Sequence, residues 1–205
     1  MTFTTGHWEK VYETKSFDAV SWYAPHLHES LRRIEALCPD KAAAIVDIGG
    51  GESTLVDDLL GKGYRDLSVL DISSTAIDFT KQRLGNQAAH VTWCVGDITR
   101  YDFGAQQFDL WHDRAVFHFL TDPQSRADYV ALVKKSVKKG GFVIVATFGP
   151  EGPQQCSGLD VVRYNQCTLH GEFGADFEML ASHTTDHETP GGSTQQFLYC
   201  CCKLT

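Results

Sequence analysis

The sequence predicts one α/β domain: a seven-stranded sheet, mostly parallel with an antiparallel terminal strand, covered by helices on both faces. Three observations predict it. An apolar stretch runs directly into a glycine turn at residues 46–53. Apolar runs of strand length then alternate with helix-spaced apolar residues up to position 148, which is typical of a parallel sheet. Two extended stretches near the C-terminus flank Pro190-Gly191-Gly192, which is typical of an antiparallel hairpin.

The first elements follow in chain order. Residues 1–25 are rich in aromatic side chains and are predicted to be irregular. Residues 26–38 carry apolar side chains at helical spacing, and Pro39 ends that helix before a strand at 43–48. After the glycine turn, residues 55–60 form a short amphipathic helix that Gly61 and Gly63 end.

The remaining elements continue the alternation. Ser73 and Ser74 cap the helix that follows the second strand, because a serine hydroxyl can accept from a free backbone N–H group. Residues 127–137 form another helix, and Gly140-Gly141 turns the chain into the fifth strand. The strands after the first are predicted at 66–71, 91–95, 108–111, 142–148, 177–189 and 195–204.

The 205 residues are predicted to form a single domain, 1–205. Residues 1–40 make an N-terminal segment, 43–148 the ligand-binding core, and 149–205 an insert followed by the terminal hairpin.

Composition excludes several classes of partner. The formal net charge is −8, and the only lysine cluster, at residues 134–139, falls near a predicted helix end, so we expect no nucleic-acid partner. No apolar run approaches the length of a membrane span, and the N-terminus lacks the features of a signal peptide. Seven cysteines without regular spacing indicate free thiols in a reducing cytoplasm and no metal site.

The glycine turn has the layout of a nucleotide-binding βαβ unit. Asp47 precedes Gly49 and Gly51, and a second apolar run ends on Asp71 twenty residues later. Glycines let the backbone approach a ligand, and a distal carboxylate can accept from both ribose hydroxyls. A hydride-transferring dehydrogenase would need glycine or alanine at position 54, where this chain has Thr54.

Five motifs in order resemble the class I S-adenosylmethionine-dependent methyltransferases. The matching residues are Asp47-Ile48-Gly49-Gly50-Gly51, Asp71, Gly96-Asp97-Ile98, Phe108-Asp109-Leu110 and Lys139-Gly140-Gly141-Phe142-Val143. The resemblance implies a Rossmann-like sheet with an antiparallel seventh strand, methyl transfer as the activity, and S-adenosylmethionine as donor with S-adenosylhomocysteine as product.

Two segments narrow the resemblance. The glycine turn with Ser53 and Leu55 resembles the G-x-G-x-S-x-L type of elongation-factor protein-lysine methyltransferases and of small bacterial methyltransferases. Residues 113–118 stand where the lysine enzymes carry Asp-Lys-Gly-Thr-Phe/Trp-Asp, but Arg114 replaces the lysine and His118 the last acid. Lysine specificity is therefore not carried over.

The resemblance also implies roles in donor binding. Asp47 would bind the methionine ammonium, Asp71 the ribose, and Asp97 the adenine amine, while Trp8, Tyr12, Trp22 and Tyr23 resemble the lid that buries the sulfonium. The predicted donor-binding residues are Asp47, Gly49, Gly51, Ser53, Asp71, Ile72, Asp97, Ile98, Asp113 and Trp22.

The acceptor side is predicted after the fourth and fifth strands, because open α/β sheets bind ligands at the carboxyl ends of their strands. His118 is a candidate general base if its pKa lies near 7, although in-line displacement by an amine or thiolate needs mainly positioning. The predicted substrate-binding residues are Arg114, Phe117, His118, Phe148, Arg163 and Tyr164, and the predicted catalytic residues are Asp113, His118 and Tyr23.

The expected acceptor is a small molecule with a thiol, another chalcogen, or a nitrogen or oxygen nucleophile. The alternative is a protein lysine, and a cofactor-binding protein without catalysis is a third class. A narrow, covered pocket favours the small acceptor, whereas an open acidic channel favours lysine.

Overall fold

The computed structural model describes residues 5–205, so residues 1–4 of the predicted N-terminal segment lie outside the described residues. The main sheet has seven strands in the order β3-β2-β1-β4-β5-β9-β8. Strand β9 is antiparallel to both of its neighbours, and the four pairings between β3 and β5 are parallel throughout. The predicted fold class, including the antiparallel final strand, is confirmed.

The strands alternate with the helices along the chain. The nine strands are β1 Ala44–Ile48, β2 Asp66–Asp71, β3 Val91–Val95, β4 Phe108–Arg114, β5 Val137–Phe148, β6 Gln155–Cys156, β7 Leu159–Asp160, β8 Phe177–Glu188 and β9 Thr194–Leu204. Strands β6 and β7 form a separate two-stranded hairpin in the insert.

The α-helices cover both faces of the main sheet. They are α1 Thr5–Thr14, α2 His28–Leu37, α3 Leu55–Gly61, α4 Ser74–Leu84, α5 Pro123–Ser136 and α6 Gln166–Phe173. None of the helices within residues 5–205 is long and apolar enough to cross a membrane.

Side-chain alternation in the strands builds two apolar layers. All five residues of β1 are buried, with Ile45 in one layer and Val46 and Ile48 in the other, as expected for a central strand covered on both faces. Ser73 caps α4 by accepting from the Ala76 N–H group, as predicted, and Asp122 caps α5 in the same way.

The prediction that residues 1–25 are irregular was wrong for α1. Trp8 and Val11 are buried on one side of that helix. Its threonines, valine and tyrosine have only modest helix propensity, so packing on the rest of the chain stabilises it more than its own sequence does.

Other element boundaries also differ from the prediction. Helix α6 was not predicted, because its cysteine, threonine, histidine and glycine give weak helical periodicity; an Asn165–Thr168 capping box begins it. Strand β4 runs past Trp111 to Arg114, β5 begins at Val137, and α5 begins at Pro123. Pairing with neighbouring strands extends β4 and β5 beyond their apolar cores.

Candidate functional site

The candidate site lies at the carboxyl ends of β1, β2 and β4. The strand order reverses direction at β1, whose Ile48 is paired with Leu70 on one side and with Asp113 on the other. Such a switch point opens a crevice above the sheet, because the connections on its two sides leave in opposite directions. Two inner cavities occupy this crevice.

The first inner cavity is lined by the glycine turn, the ends of β2 and β4, helix α1 and the insert. Its walls are mostly apolar, and Asp71 and Arg114 are the charged side chains among the described residues that line it. The lining comprises Trp8, Tyr12, Trp22, Ile48, Gly49, Leu70, Asp71, Ile72, Gly96, Ile98, Arg114, Ala115, Val116, Phe119 and Cys156.

The second inner cavity continues from the first over the glycine turn and shares five residues with it. Its acidic groups are Asp47 and Glu52. The lining comprises Tyr12, Phe17, Val20, Trp22, Tyr23, Ala24, Leu27, Asp47, Ile48, Gly49, Gly50, Glu52, Ser53, His112 and Arg114.

Asp71 ends β2 as a buried carboxylate, only 4% exposed. Its Oδ1 accepts from the Ser73 N–H group at 2.9 Å, and its Oδ2 lies where a Cβ added to Gly51 would approach within 2.7 Å. Burial raises the pKa of Asp71 to about 7, and the hydrogen bond from Ser73 offsets only part of that effect. Asp71 lines the first inner cavity, and its predicted contact with the ribose stays a prediction.

Asp47 belongs to a buried hydrogen-bond chain that the sequence did not reveal. The His112 ring donates from Nδ1 to Asp47 Oδ1 at 2.7 Å, and its Nε2 lies 2.9 Å from Ser30 Oγ. Ser30 Oγ is in turn 3.2 Å from Tyr199 Oη. The chain fixes the orientation of the Asp47 carboxylate and joins elements that are far apart in sequence.

Helix α1 covers the inner cavities and is held in place by Glu9. The Glu9 carboxylate accepts from Ser73 Oγ at 2.7 Å and from the Ser74 N–H group at 2.8 Å, at the beginning of α4. Burial alone would raise the pKa of Glu9, but the hydrogen bonds from Thr75, Ser73 and Ser74 outweigh it and lower the pKa to about 2. Helix α1 is therefore anchored beside Asp71, a contact that no sequence motif predicts.

The aromatic residues of the N-terminal segment form one cluster above the first inner cavity. The Trp8 ring lies 5.2 Å from Phe119 and 5.8 Å from Trp22, measured between ring centroids, and Tyr12 lies 6.3 Å from Trp22. Tyr23 lines the second cavity, where its ring packs edge-on against Phe17. The predicted grouping of Trp8, Tyr12, Trp22 and Tyr23 at one site matches this arrangement.

Two predicted catalytic residues point into the core instead. Asp113 is fully buried and accepts from the backbone N–H groups of Val116 and Phe117 and from Tyr129 Oη. His118 is also fully buried, and its Nδ1 accepts from the Phe148 N–H group at 3.2 Å. Burial lowers the pKa of His118 to about 3, helped by the charge of Arg114, so the condition of a pKa near 7 is not met.

Most of the predicted substrate-binding residues likewise do not line the two inner cavities. Phe117 and Tyr164 pack together in the core, and Phe148 packs on Phe197. Arg163 donates to the carbonyls of Pro150 and Gly152 and ties the insert together. The 3₁₀ turn at Phe117–Phe119 turns the chain inward just after β4, which the sequence alone did not show. Arg114 is the exception, since it lines both inner cavities.

The other predicted donor-site residues lie at or beside the inner cavities. Ile72 and Ile98 line the first cavity, and Ser53 lines the second. Asp97 stands between two lining residues, Gly96 and Ile98, and its Oδ1 accepts from the N–H group and the hydroxyl of Thr99. Among residues 5–205, no group of three or more His, Cys, Asp or Glu side chains is arranged to hold a metal ion.

Comparison with known proteins bears on the identity of the site. Residues 45–141 match the family model described as a methyltransferase domain. The chain is 29% identical over 119 residues to the mouse eEF1A lysine and N-terminal methyltransferase; the match covers 58% of this chain but only 17% of that protein.

Solved structures with the same fold cover nearly the whole chain. One, from work on the conversion of a disulfide bond into a thioacetal group during echinomycin biosynthesis, has a TM-score of 0.78 at 14% identity, covering 98% of this chain and 91% of its own. Another is the Burkholderia thailandensis 1,6-didemethyltoxoflavin-N1-methyltransferase with bound 1,6-didemethyltoxoflavin and S-adenosylhomocysteine. Its TM-score is 0.69 at 17% identity, and the match covers 86% of this chain and 77% of that chain.

Proposed function

We propose that the chain is a class I S-adenosylmethionine-dependent methyltransferase whose methyl acceptor is a small-molecule nucleophile. The observation that carries this proposal is the lining of the first inner cavity. Trp8, Trp22 and Phe119 line it as one aromatic cluster, and Cys156 of the insert hairpin contributes to the same lining. A concave, mostly apolar site suits a small acceptor, whereas a lysine on a protein surface needs an open channel to reach the donor.

The residues at the inner cavities fit the donor. The Asp71 carboxylate suits two ribose hydroxyls, and the position of its Oδ2 against Gly51 shows why that residue has no Cβ. Ile72 and Ile98 offer apolar faces for the adenine ring, beside Asp97 for the adenine amine. Asp47, oriented by His112, suits the methionine ammonium, and Ser53 with the backbone of Gly49 and Gly51 would border the same end.

The chemistry follows from an in-line displacement. When bound, S-adenosylmethionine supplies an electrophilic methyl group: the acceptor lone pair forms the new bond to carbon while the carbon–sulfur bond breaks and its electron pair stays on sulfur. The protein's part is to position the acceptor and exclude water, for which the Trp8, Tyr12 and Trp22 cluster is placed. A neutral acceptor must also release a proton, and Tyr23 is our remaining candidate for contact with it, since Asp113 and His118 are buried away from the cavities.

A protein lysine is the second candidate acceptor. It is favoured by the likeness to the mouse eEF1A lysine and N-terminal methyltransferase and by Ser53 in the glycine turn. The position of Arg114 at the cavity argues against a lysine acceptor, because a fixed guanidinium repels a lysine ammonium group.

A labelling experiment separates the two acceptors. Purified enzyme and S-adenosylmethionine with a radiolabelled methyl group are added to a cell lysate, which is then split into protein and small-molecule fractions. We expect label in the small-molecule fraction, and none there if boiled enzyme is used as the control. Label confined to the protein fraction would contradict our first choice and support lysine.

Donor binding is expected to depend on Asp71. Asp71→Ala should weaken S-adenosylhomocysteine binding by about 1.5–3 kcal/mol in calorimetry, as for lost hydrogen bonds to a charged group. Asp78→Ala, which removes an exposed acid from the same region on α4, should leave the affinity unchanged. Unaltered affinity in Asp71→Ala would mean that the ribose is bound elsewhere.

The raised pKa of Asp71 should make the affinity for the donor depend on pH. The unbound carboxyl has a pKa of about 7, and ribose hydroxyls donate to its ionised form. Below that pKa the group must first lose its proton, so affinity should rise with pH through about 7 and level off above it. Asp71→Asn should bind more weakly and without this rise.

We further propose a reducing, cytoplasmic setting. It is supported by the seven cysteines, all of which are free thiols, including Cys200 and Cys202, whose sulfur atoms lie 3.6 Å apart without a bond.

A further inference from the structure

Arg114 carries a positive charge that has no acidic partner among residues 5–205. The residue ends β4 and is half-buried. Its Nη1 donates to the Trp22 carbonyl at 3.1 Å, and its Cζ lies 4.2 Å from the centroid of the Phe197 ring. Within residues 5–205 no carboxylate comes within 4.0 Å of the guanidinium nitrogens. The ion pairs of the other arginines in this part of the chain all lie within that distance. A guanidinium has five N–H donors, so most of its hydrogen-bonding capacity is available to a ligand.

Arg114 also stands where three cavities meet. Besides the two inner cavities it lines a third, the outer cavity, which encloses about 280 Å³ beside β8 and β9. That volume is close to the lower end of small-molecule sites, about 300 Å³. The outer cavity shares Ala24, Leu27 and Arg114 with the second inner cavity, so the guanidinium stands at the junction of the two.

The walls of the outer cavity suit an aromatic anion. Phe197, Tyr199 and His187 give flat surfaces, and His26 and His28 also line the cavity. Of its two acids, Glu29 is already paired with Arg32 at 2.8 Å and Arg33 at 2.9 Å, and Asp186 is exposed on β8. The charge of Arg114 is felt nearby: after burial, it is the second cause that lowers the pKa of His187.

We propose that the methyl acceptor carries an anionic group, of the carboxylate class, that pairs with Arg114 at the junction of the outer and inner cavities. The pairing holds the acceptor with its nucleophile toward Trp22 and Cys156, and it excludes cationic acceptors such as lysine. This inference rests on the proposed small-molecule function and adds the charge of the acceptor to it.

The test is calorimetry on protein saturated with S-adenosylhomocysteine, with three probes of similar size and different charge: benzoate, benzamide and benzylamine. We expect the wild type to bind benzoate at least ~tenfold more tightly than benzamide, and benzylamine most weakly, because loss of a charged hydrogen bond has about this effect. Arg114→Gln should abolish the preference for benzoate. Arg114→Lys keeps the charge without the planar donor pair and should retain part of the preference.

Two controls make the outcome specific. Arg100→Gln removes an exposed arginine after β3 and should leave all three affinities unchanged. S-adenosylhomocysteine affinity is measured for the same variants; if Arg114→Gln lowers that affinity more than ~tenfold while benzoate is still preferred, Arg114 serves the donor and the proposal is overturned.

The proposal would also be overturned if both Arg114 variants kept the full preference for benzoate, or if the wild type bound benzylamine more tightly than benzoate. The proposal that the acceptor is a small molecule is tested separately. If it is wrong, the labelling experiment shows label on protein alone. The binding experiment needs no turnover, and Arg114→Lys keeps the test valid should Arg114→Gln fold poorly.

Discussion

Asp113→Ala is expected to destabilise the fold by about 3–5 kcal/mol, because three buried donors lose their acceptor at once and each such loss costs about 1–3 kcal/mol. The donors are the Val116 N–H group at 2.9 Å, the Phe117 N–H group at 3.1 Å and Tyr129 Oη at 2.6 Å. The carboxylate stays at this site although burial raises its pKa to about 6. We therefore interpret Asp113 as the residue that fixes the turn after β4, where Ala115 has a φ of 73°.

Chemical denaturation of a short variant series would check this role. Asp113→Asn can still accept from both backbone groups and should lose less stability than Asp113→Ala. Tyr129→Phe removes one donor but leaves both backbone bonds, and about 1–2 kcal/mol is expected.

Measuring donor binding distinguishes a positioning role of Asp113 from a catalytic one. Folded Asp113→Asn should bind S-adenosylhomocysteine nearly as well as the wild type, since the carboxylate does not line the inner cavities. If Asp113→Asn keeps full stability and donor affinity but loses methyl transfer, the side chain takes part in the reaction and our interpretation of its role is wrong.

The sheet could be predicted because its signals are local. Each strand is a short apolar run bounded by glycine, proline or an acid, and the glycine turn at Gly49 marks the switch point. Helix α1 could not be predicted from the sequence, because its stability depends on a hydrogen bond between Glu9 and Ser73 at the beginning of α4, sixty-four residues away.

The donor side was more predictable than the acceptor side for a similar reason. Asp71 is the last residue of β2 and Asp47 the last but one of β1, so the topology alone brings them to one edge. Beyond the end of β4 the 3₁₀ turn decides which side chains face the cavity, and it sends Phe117 and His118 inward while Arg114 stays at the site. The chain from Asp47 through His112 to Ser30 joins residues 65 and 82 positions apart, which no local pattern encodes.

Gly49→Ala is expected to cost about 2–4 kcal/mol of folding stability and to weaken donor binding as well. Gly49 has a φ of 68°, a left-handed conformation that costs other residues about 1–2 kcal/mol. A Cβ there would also collide with Cγ2 of Val116, far inside van der Waals contact. Both residues line the first inner cavity, so any shift that relieves the collision changes the surface on which the donor lies.

Gly61→Ala is the matched control. Gly61 ends α3 and has open space where its Cβ would be, so alanine there should be neutral or slightly stabilising. Melting temperature and S-adenosylhomocysteine affinity, measured for both variants, would show whether the effect is particular to the glycine turn.

A double-mutant cycle separates the two causes at Gly49. Val116→Ala removes the colliding methyl group, so Gly49→Ala combined with Val116→Ala should recover the steric part of the loss and leave only the backbone strain. Coupling of about 1–2 kcal/mol is expected between the two sites. If the two substitutions simply add, the collision is relieved by other means, and the requirement for glycine at position 49 comes from its backbone conformation alone.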